Sequence, residues 1–290
     1  MDFLTLLSER KIVVLDGAMG TRLDERGLMS RCVANLEAPD AVLEIHREYV
    51  NAGCDALTTN TLTMNRVYIE THNVGVDVRE VNLAGARLGR EAAGENICVL
   101  GDISSTGRLL EPYGTFKEIE FYESFKEQAE ALVEGGVDAF LVETVFDLRE
   151  ALCALRACKD AASLPVLASI AFKTEQKGGR TIMGDAADEC AKKLTEEGAD
   201  VLGANCGDLD PSQTAAVVSI IRSATSLPIL AQPNAGKPRL VGGRTVFDMK
   251  PQPFANGMAE CLAAGATIVG GCCGTTPGHI RALSAVVAGK

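Results

Sequence analysis

Three of the ten cysteines have neighbours that would let them act together on one ligand. Cys272 and Cys273 are adjacent within the run Gly270–Gly274 (GGCCG), and Cys206 is followed by Gly207. The flanking glycines permit the sharp backbone turn that two adjacent thiolates need to reach one metal ion. Three sulfur ligands with no obvious fourth are typical of an open catalytic zinc site. Spacing alone leaves two alternatives open, which are packing and a vicinal disulfide.

Such a zinc site would favour one kind of chemistry. Zinc held by three thiolates is a soft, electron-rich centre that prefers a fourth sulfur. A substrate thiol in the open position loses its proton because the metal stabilises thiolate over thiol. The sulfur stays nucleophilic at neutral pH, so it can attack an electrophilic methyl group. Zinc sites that activate water more usually carry His or carboxylate ligands. The pattern therefore predicts alkyl transfer to a thiol rather than hydrolysis.

The other seven cysteines are scattered through apolar segments. They are Cys32, Cys54, Cys98, Cys153, Cys158, Cys190 and Cys261. In a reducing compartment, cysteines of this kind are most often small buried side chains. The three histidines, His46, His72 and His279, lie in helical or loop patterns and are predicted to be surface or capping residues.

Eight short apolar runs alternate with longer amphipathic segments along the whole chain. Continuous apolar runs are typical of parallel strands covered on both faces. The predicted strands are Ile12–Asp16, Ala56–Asn60, Ile97–Asp102, Ala139–Glu143, Val166–Ile170, Val201–Cys206, Ile229–Gln232 and Thr267–Gly271. Apolar residues at three- and four-residue spacing predict the helices. The predicted helices are Pro39–Ala52, Val76–Ala93, Phe116–Glu134, Leu148–Ala161, Ala186–Glu197, Pro211–Ala224, Phe254–Ala264 and Pro277–Val287.

This alternation predicts an α/β fold, a single (β/α)8 TIM barrel, with an open doubly wound sheet as the alternative. No linker or break in composition divides the chain, so residues 1–290 are expected to form one domain. In such barrels the chemistry lies on the loops that follow the strands. Cys206 ends the sixth predicted strand and Cys272 and Cys273 end the eighth, so all three would project into one mouth.

The net charge of -11 and the absence of a basic cluster argue against nucleic acid and anionic membranes as partners. The first eleven residues, MDFLTLLSERK, have neither the basic start nor the small-residue cleavage site of a signal peptide. No apolar run approaches the roughly 20 residues that span a bilayer. A cytoplasmic protein is expected.

Four segments resemble the homocysteine S-methyltransferases. The run LDGAMGT at residues 15–21, NCG at 205–207 and GGCCGTTP at 270–277 carry the family resemblance. PNAGKP at 233–238 is most similar to the homocysteine-binding domain of cobalamin-dependent methionine synthase, here as a stand-alone domain. The resemblance covers nearly the whole chain. It implies a (β/α)8 barrel, a Zn²⁺ ion on Cys206, Cys272 and Cys273, and homocysteine as the methyl acceptor.

The resemblance also implies roles for residues around the zinc ligands. Asp16 and the backbone at Gly17 and Ala18 would hold the amino-acid end of homocysteine, and Glu143 would pair with its ammonium group. Asn234 would lie near the metal and occupy its fourth position before the substrate enters. From the residues alone, Asp16 could instead cap the following turn and Asn234 could be only a turn residue. Glu143 ends an apolar run, where a buried carboxylate needs a partner.

The chain departs from the family pattern in three loops that shape the mouth. Leu62 stands where the family usually has Phe, Ser104 and Ser105 stand in place of Gly-Pro, and an acidic run, Asp208–Pro211, follows Cys206. These departures bear on the acceptor and the donor rather than on the zinc ligands.

The methyl donor is expected to be a methylcorrinoid carried by a separate protein, and the product methionine. The sequence has no DxHxxG segment, the usual signature of a cobalamin-binding module. The alternatives are S-methylmethionine or betaine as donor, another small thiol as acceptor, and a non-catalytic zinc-binding subunit. A betaine site would need an aromatic cage, and four Tyr, nine Phe and no Trp supply little for one.

Overall fold

Eight parallel strands form the sheet at the centre of the computed structural model, which describes residues 3–242 and 244–289. The strands are β1 (Val13–Val14), β2 (Ala56–Thr58), β3 (Cys98–Ser104), β4 (Ala139–Val145), β5 (Val166–Ile170), β6 (Val201–Asn205), β7 (Ile229–Gln232) and β10 (Ile268–Val269). Their order is β1-β10-β7-β6-β5-β4-β3-β2. A bridge between Leu15 and Ala56 joins the two ends of this order, and the Asp16 N–H donates to the Ala56 carbonyl at 3.1 Å. The TIM barrel is confirmed, and the open sheet is wrong.

All eight predicted helices are present around the barrel. They are α4 (Pro39–Ala52), α6 (Val78–Ala93), α7 (Glu118–Glu134), α8 (Leu148–Ala161), α9 (Ala187–Glu196), α10 (Pro211–Ala224), α11 (Pro251–Ala263) and α12 (Pro277–Ala288). Where α4 ends, Gly53 takes a φ of 93°, a left-handed conformation that other residues resist. No helix in the described part of the chain is long and apolar enough to cross a membrane.

Six short α-helices and β-strands in the described part of the chain were not predicted, and all lie outside the repeating pattern. They are α1 (Phe3–Arg10), α2 (Gly20–Glu25), α3 (Ala34–Glu37), α5 (Arg66–Thr71), and the antiparallel pair β8 (Arg239–Val241) and β9 (Arg244–Val246). The helix α1 packs Phe3, Leu6 and Leu7 into the same apolar cluster as the inward residues of the strands. It therefore covers the end of the barrel at which the strands begin.

The barrel interior is apolar in its lower layers and polar at the ends of the strands. The inward apolar residues include Val13, Leu15, Ala56, Cys98, Leu100, Ala139, Leu141, Leu167, Val201, Leu230 and Ile268. Because side chains alternate along a strand, the last inward position before the mouth lies two residues further on, or four residues further on in β6, where Gly203 intervenes. Polar residues occupy these positions on six strands: Thr58, Asp102, Glu143, Ser169, Asn205 and Gln232. This polar row forms the floor of the mouth.

A carboxylate precedes three of the strands at the opposite end of the barrel. Asp55, Asp138 and Asp200 each follow a helix-ending glycine turn and enter β2, β4 and β6. Their carboxylates accept the backbone N–H groups of Val14, Val99 and Val166, at 2.9, 2.7 and 2.9 Å. Each aspartate therefore links the start of its own strand to a neighbouring strand.

Candidate metal centre and acceptor pocket

The three predicted zinc ligands lie together at the mouth of the barrel. Cys206 directly follows β6, and Cys272 and Cys273 follow β10. Their Sγ atoms all lie within 4.8 Å of one another, and all three side chains are partly exposed. The Sγ atoms of Cys272 and Cys273 are 3.9 Å apart, far beyond the roughly 2.05 Å of a disulfide bond. The arrangement could hold one metal ion through three sulfurs with its open side toward the mouth.

The backbone is strained where β6 ends, at the first of the three cysteines. Cys206 has a φ of 50° and Gly207 a φ of 62°, both in the left-handed region. A Cβ at residue 207 would clash with the carbonyl oxygen of Phe172, so only glycine fits there. A non-glycine residue held in this region is uncommon, and such residues cluster at functional sites.

The end of β7 and the loop that follows it bind all three cysteines through backbone hydrogen bonds. The Cys206 N–H donates to the Gln232 carbonyl at 3.0 Å, and the Cys272 N–H donates to the Pro233 carbonyl at 2.9 Å. The Ala235 N–H donates to the Cys273 carbonyl at 2.9 Å. Backbone groups belong to every residue type, so no sequence signal could have revealed this bracing.

The three thiols do not hold their protons equally. Hydrogen bonds from the Cys206 and Cys272 thiols lower the pKa of Cys273 to about 4. The pKa of Cys272 is raised well above its usual range because its thiol donates to Cys206 and Cys273. A metal ligand must be deprotonated, and the cluster already favours one thiolate.

Asp16 is buried beside the mouth and does not cap its own turn. Its carboxylate accepts the backbone N–H and the hydroxyl of Thr58, both at 3.0 Å. Burial raises the pKa of Asp16 to about 8, against the lowering effect of the bonds from Thr58. The turn-cap interpretation is therefore wrong for this side chain.

The chain after Asp16 is packed tightly against the loop that carries the paired cysteines. A Cβ at Gly17 would lie 2.6 Å from Thr275 Oγ1, so glycine is required there. The Ala18 N–H donates to Thr275 Oγ1 at 2.9 Å, and the Tyr49 hydroxyl donates to the Ala18 carbonyl at 2.7 Å. Because the Ala18 N–H is already paired, Ala18 can shape the pocket but has no open donor for a ligand. Thr275 and Tyr49 were not predicted.

Glu143 has neutral partners that fix its orientation. Its Oε2 accepts from Asn205 Nδ2 at 2.6 Å and from Thr144 Oγ1 at 2.9 Å. Asn205 is itself held, since its Oδ1 accepts from Ser169 Oγ at 2.8 Å. Burial raises the pKa of Glu143 to about 7, partly offset by the Thr144 bond. Asn205 was noted only as a neighbour of Cys206, and its role follows from its inward position on β6.

Asp102 stands near these two carboxylates on the inward row. It is 6% exposed, and its Oδ1 has no hydrogen-bond partner among the described residues. Burial raises its pKa well above the usual range, with added contributions from the charges of Glu143 and Asp16. The sequence placed Asp102 at a strand end but gave no reason to assign it to the site.

Asn234 lies against the backbone that follows Cys206. Its Nδ2 donates to the Gly207 carbonyl at 2.9 Å, while its Oδ1 is buried without a partner in the described chain. Since Ala235 is bonded to the Cys273 carbonyl, Asn234 lies between the two cysteine loops.

The family comparison matches nearly the whole chain. The sequence profile of the homocysteine S-methyltransferase family matches residues 13–287. The chain belongs to this family.

The chain is also similar in sequence to curated relatives and similar in fold to solved structures. The methionine synthases of Mycobacterium tuberculosis and Mycobacterium leprae are 31% and 30% identical over 99% of the chain. The chain spans about a quarter (25%) of the length of these relatives. The metallated form of the homocysteine methyltransferase MmuM from Escherichia coli is similar in fold, with a TM-score of 0.79 and 23% identity. That comparison covers 97% of this chain and 98% of the other.

The seven remaining cysteines of this family member are buried, as predicted. Burial raises the pKa of the Cys32 and Cys261 thiols to about 12. His279 caps α12 together with Thr276, as predicted. The prediction for His46 is wrong: it is fully buried in α4, and burial lowers its pKa to about 4.

The departures in the mouth loops have structural roles in this chain. Asp210 caps α10 by accepting the Gln213 N–H at 2.9 Å. Ser105 Oγ donates to Glu150 at 2.9 Å and helps to hold the loop after β3. Asp208 pairs with Lys173 at 3.6 Å on the surface.

Proposed function

We propose that this chain is a zinc-dependent methyltransferase that methylates the thiol of homocysteine to give methionine, with residues 1–290 acting as one catalytic domain. The observation that carries the proposal is the approach of Cys206, Cys272 and Cys273 to within 4.8 Å at the mouth of the barrel. Family membership supports a thiol as the methyl acceptor.

The residues fit zinc as the metal. Three sulfur donors suit zinc among the common divalent ions. The cluster has no fourth sulfur among the described residues, which leaves a position for a ligand. When bound, zinc supplies a Lewis acid that favours the thiolate form of the acceptor at neutral pH. Asn234, with its Oδ1 unpartnered beside Gly207, is the protein group proposed for the fourth position before the acceptor enters.

The buried carboxylates are proposed to hold the amino-acid end of the acceptor. Asp16 and Glu143 would bind its ammonium group, because two buried acids without a cationic partner are stabilised by a positive charge. Asn205 and Thr144 keep Glu143 in place through bonds of 2.6 and 2.9 Å. The tightly packed backbone at Gly17 and Ala18 would shape the wall against the rest of the amino-acid end. Holding the acceptor in one orientation aims its sulfur at the incoming methyl group.

The reaction itself forms one bond and breaks one bond. The acceptor sulfur forms a bond to the methyl carbon while the bond between that carbon and the donor breaks, and the thiol proton is released. We propose a methylcorrinoid as the donor, and the similarity to methionine synthases supports it. We further propose that a separate protein carries the corrinoid to the mouth of this barrel.

A donor screen tests the proposal. The zinc-loaded protein is mixed with homocysteine and with methylcobalamin, S-methylmethionine or betaine, with and without a chelator. Methionine should form with methylcobalamin, should stop with the chelator and should return with added zinc. Methionine from S-methylmethionine or betaine alone would show that the donor assignment is wrong. Bound zinc with no product from any donor would show a non-catalytic zinc-binding subunit.

A further inference from the structure

The floor of the mouth has unsatisfied acceptors on more than one strand. Asp102 Oδ1 on β3 and Gln232 Oε1 on β7 are both buried, and neither has a partner in the residues that the structure describes. Gln232 lies beside Asp16, since a Cβ at Gly270 would contact Gln232 Cγ at 3.3 Å and the Asp16 carbonyl at 3.1 Å. Buried polar groups are normally hydrogen-bonded, and each exception needs an explanation. A ligand that donates hydrogen bonds would satisfy these two unpaired acceptors.

The charge on this floor points to the same kind of ligand. Asp16, Asp102 and Glu143 are all buried. The charge of Glu143 adds to the raised pKa of Asp16, and the charges of Glu143 and Asp16 add to the raised pKa of Asp102. No lysine or arginine is buried among the described residues. Asp16 has Thr58 as a partner, and Glu143 has Asn205 and Thr144. Asp102 differs from these two, because its buried Oδ1 has no hydrogen-bond partner in the described chain.

We propose that Asp102 is a third carboxylate for the acceptor's ammonium group and a determinant of acceptor specificity. The proposal rests on the function proposed above. A primary ammonium carries three N–H donors and no acceptor, so it can bond to three carboxylates, one that follows β1 and one each on β3 and β4. The site then selects short aliphatic thiols that bear an ammonium group. It discriminates against thiols that carry only a carboxylate, because these would place a further negative charge beside three acids.

Glu150 provides a matched control in the same part of the chain. It is also a buried carboxylate, at 3% exposed. Its oxygens accept from the Thr106 N–H at 2.8 Å, from Thr106 Oγ1 at 2.7 Å and from Ser105 Oγ at 2.9 Å. A carboxylate with this many internal donors holds its own loop and has no need of a ligand.

Comparing three ligands shows how much the ammonium group contributes to binding, apart from the rest of the substrate. Calorimetry on the zinc-loaded protein measures the Kd of L-homocysteine, of 3-mercaptopropylamine, which lacks the carboxylate, and of 4-mercaptobutyrate, which lacks the ammonium. Asp102→Asn should weaken the first two by about 10- to 100-fold, the usual cost of losing a charged hydrogen-bond partner. It should leave 4-mercaptobutyrate unchanged or bound more tightly. Glu150→Gln should change the Kd of none of the three.

Each other outcome decides against the proposal. Equal weakening of all three ligands would show that Asp102 only supports the fold, and unchanged Kd values would show no role in binding. If wild-type protein binds zinc but not homocysteine, the proposed function fails together with this inference. If wild type binds homocysteine and Asp102→Asn has no effect, only the inference fails. Should Asp102→Asn not fold, as judged by zinc content and thermal unfolding, Asp102→Ser and wild-type discrimination between the amine and the acid supply the same test.

Discussion

The two ends of the barrel use the same type of side chain for opposite purposes. At the end where strands begin, each of three aspartates accepts the backbone N–H of a neighbouring strand at 2.7–2.9 Å: Asp55, Asp138 and Asp200. At the mouth, three buried acids have raised pKa values and no buried cation beside them in the described chain: Asp16, Asp102 and Glu143. A carboxylate whose bonds are completed within the fold stabilises it. The mouth acids have no such closure: Asp102 Oδ1 has no partner in the described chain, and the donors to Asp16 and Glu143 are neutral. Buried acids of this kind cost stability and are available to a cationic ligand.

The largest effect is expected from removing a sulfur at the mouth. Cys272→Ala leaves two of the three ligands. Loss of a residue that only orients a metal ligand lowers metal affinity by up to about 100-fold, so loss of a ligand itself should lower zinc affinity by at least that much. Methylation should be lost with it. Zinc content after dialysis against a competing chelator measures the effect. Cys190→Ala, at a buried cysteine of α9, should retain its zinc, and equal loss in both variants would rule out a specific site.

The next effect concerns a single acid at the mouth. Glu143→Gln keeps the shape and removes the charge, so the Kd of homocysteine should rise by about 10- to 100-fold. Zinc content should stay the same. The matched variant at the opposite end, Asp138→Asn, should bind homocysteine like wild type. If the two variants weaken binding equally, the proposed difference between the ends does not exist.

A third variant tests the structural end alone. Asp138 accepts the Val99 N–H at 2.7 Å and also pairs with Arg90. Asp138→Ala leaves these donors without their acceptor and should lower the free energy of unfolding by about 1–3 kcal/mol. Urea unfolding monitored by circular dichroism gives this value. The KM for homocysteine should not change, and a raised KM would place Asp138 in the functional machinery.

The smallest effect is expected for Asp16→Asn at the mouth, which should gain stability over wild type in a pH-dependent way. Burial raises the pKa of Asp16 from 3.8 to about 8. Between these values the unfolded chain has lost this proton and the folded chain retains it, so this group's contribution makes stability fall as pH rises. Asp16→Asn removes the contribution, so its stability advantage over wild type should be near zero at pH 4 and should grow as the pH rises toward 8.

Thermal unfolding of both proteins across this range, at equal zinc content, measures the difference. An advantage that shrinks as pH rises would contradict the raised pKa. Homocysteine binding should weaken in the same variant, which separates stability from function.

The repeating part of the fold could be predicted because its signals are local. The apolar strands and amphipathic helices each carry their own period, and α4, α8 and α10 have the predicted bounds. The helix α1 could not be predicted in this way, because its Phe3, Leu6 and Leu7 are explained only by the barrel end that they cover. The hairpin of β8 and β9 lies outside the repeat for the same reason.

Some features of the candidate site could likewise be predicted from the sequence, and others could not. Cys206, Cys272 and Cys273 could be placed in one mouth because strand ends in a barrel converge. The hydrogen bonds that hold these cysteines in place could not be predicted, because the bonds to Gln232, Pro233 and Ala235 use backbone atoms. Asp102 and Asn205 were missed for another reason. Their importance depends on the inward register of β3 and β6 and on which partners each side chain has.

One measurement tests the central claim most directly, which is that the mouth holds zinc and receives a thiol. X-ray absorption at the zinc edge counts the sulfur ligands of the zinc-loaded protein before and after homocysteine is added. We expect three sulfurs from Cys206, Cys272 and Cys273, and one more when homocysteine binds. A sulfur count that does not change with homocysteine, or a protein that takes up no zinc, would contradict it.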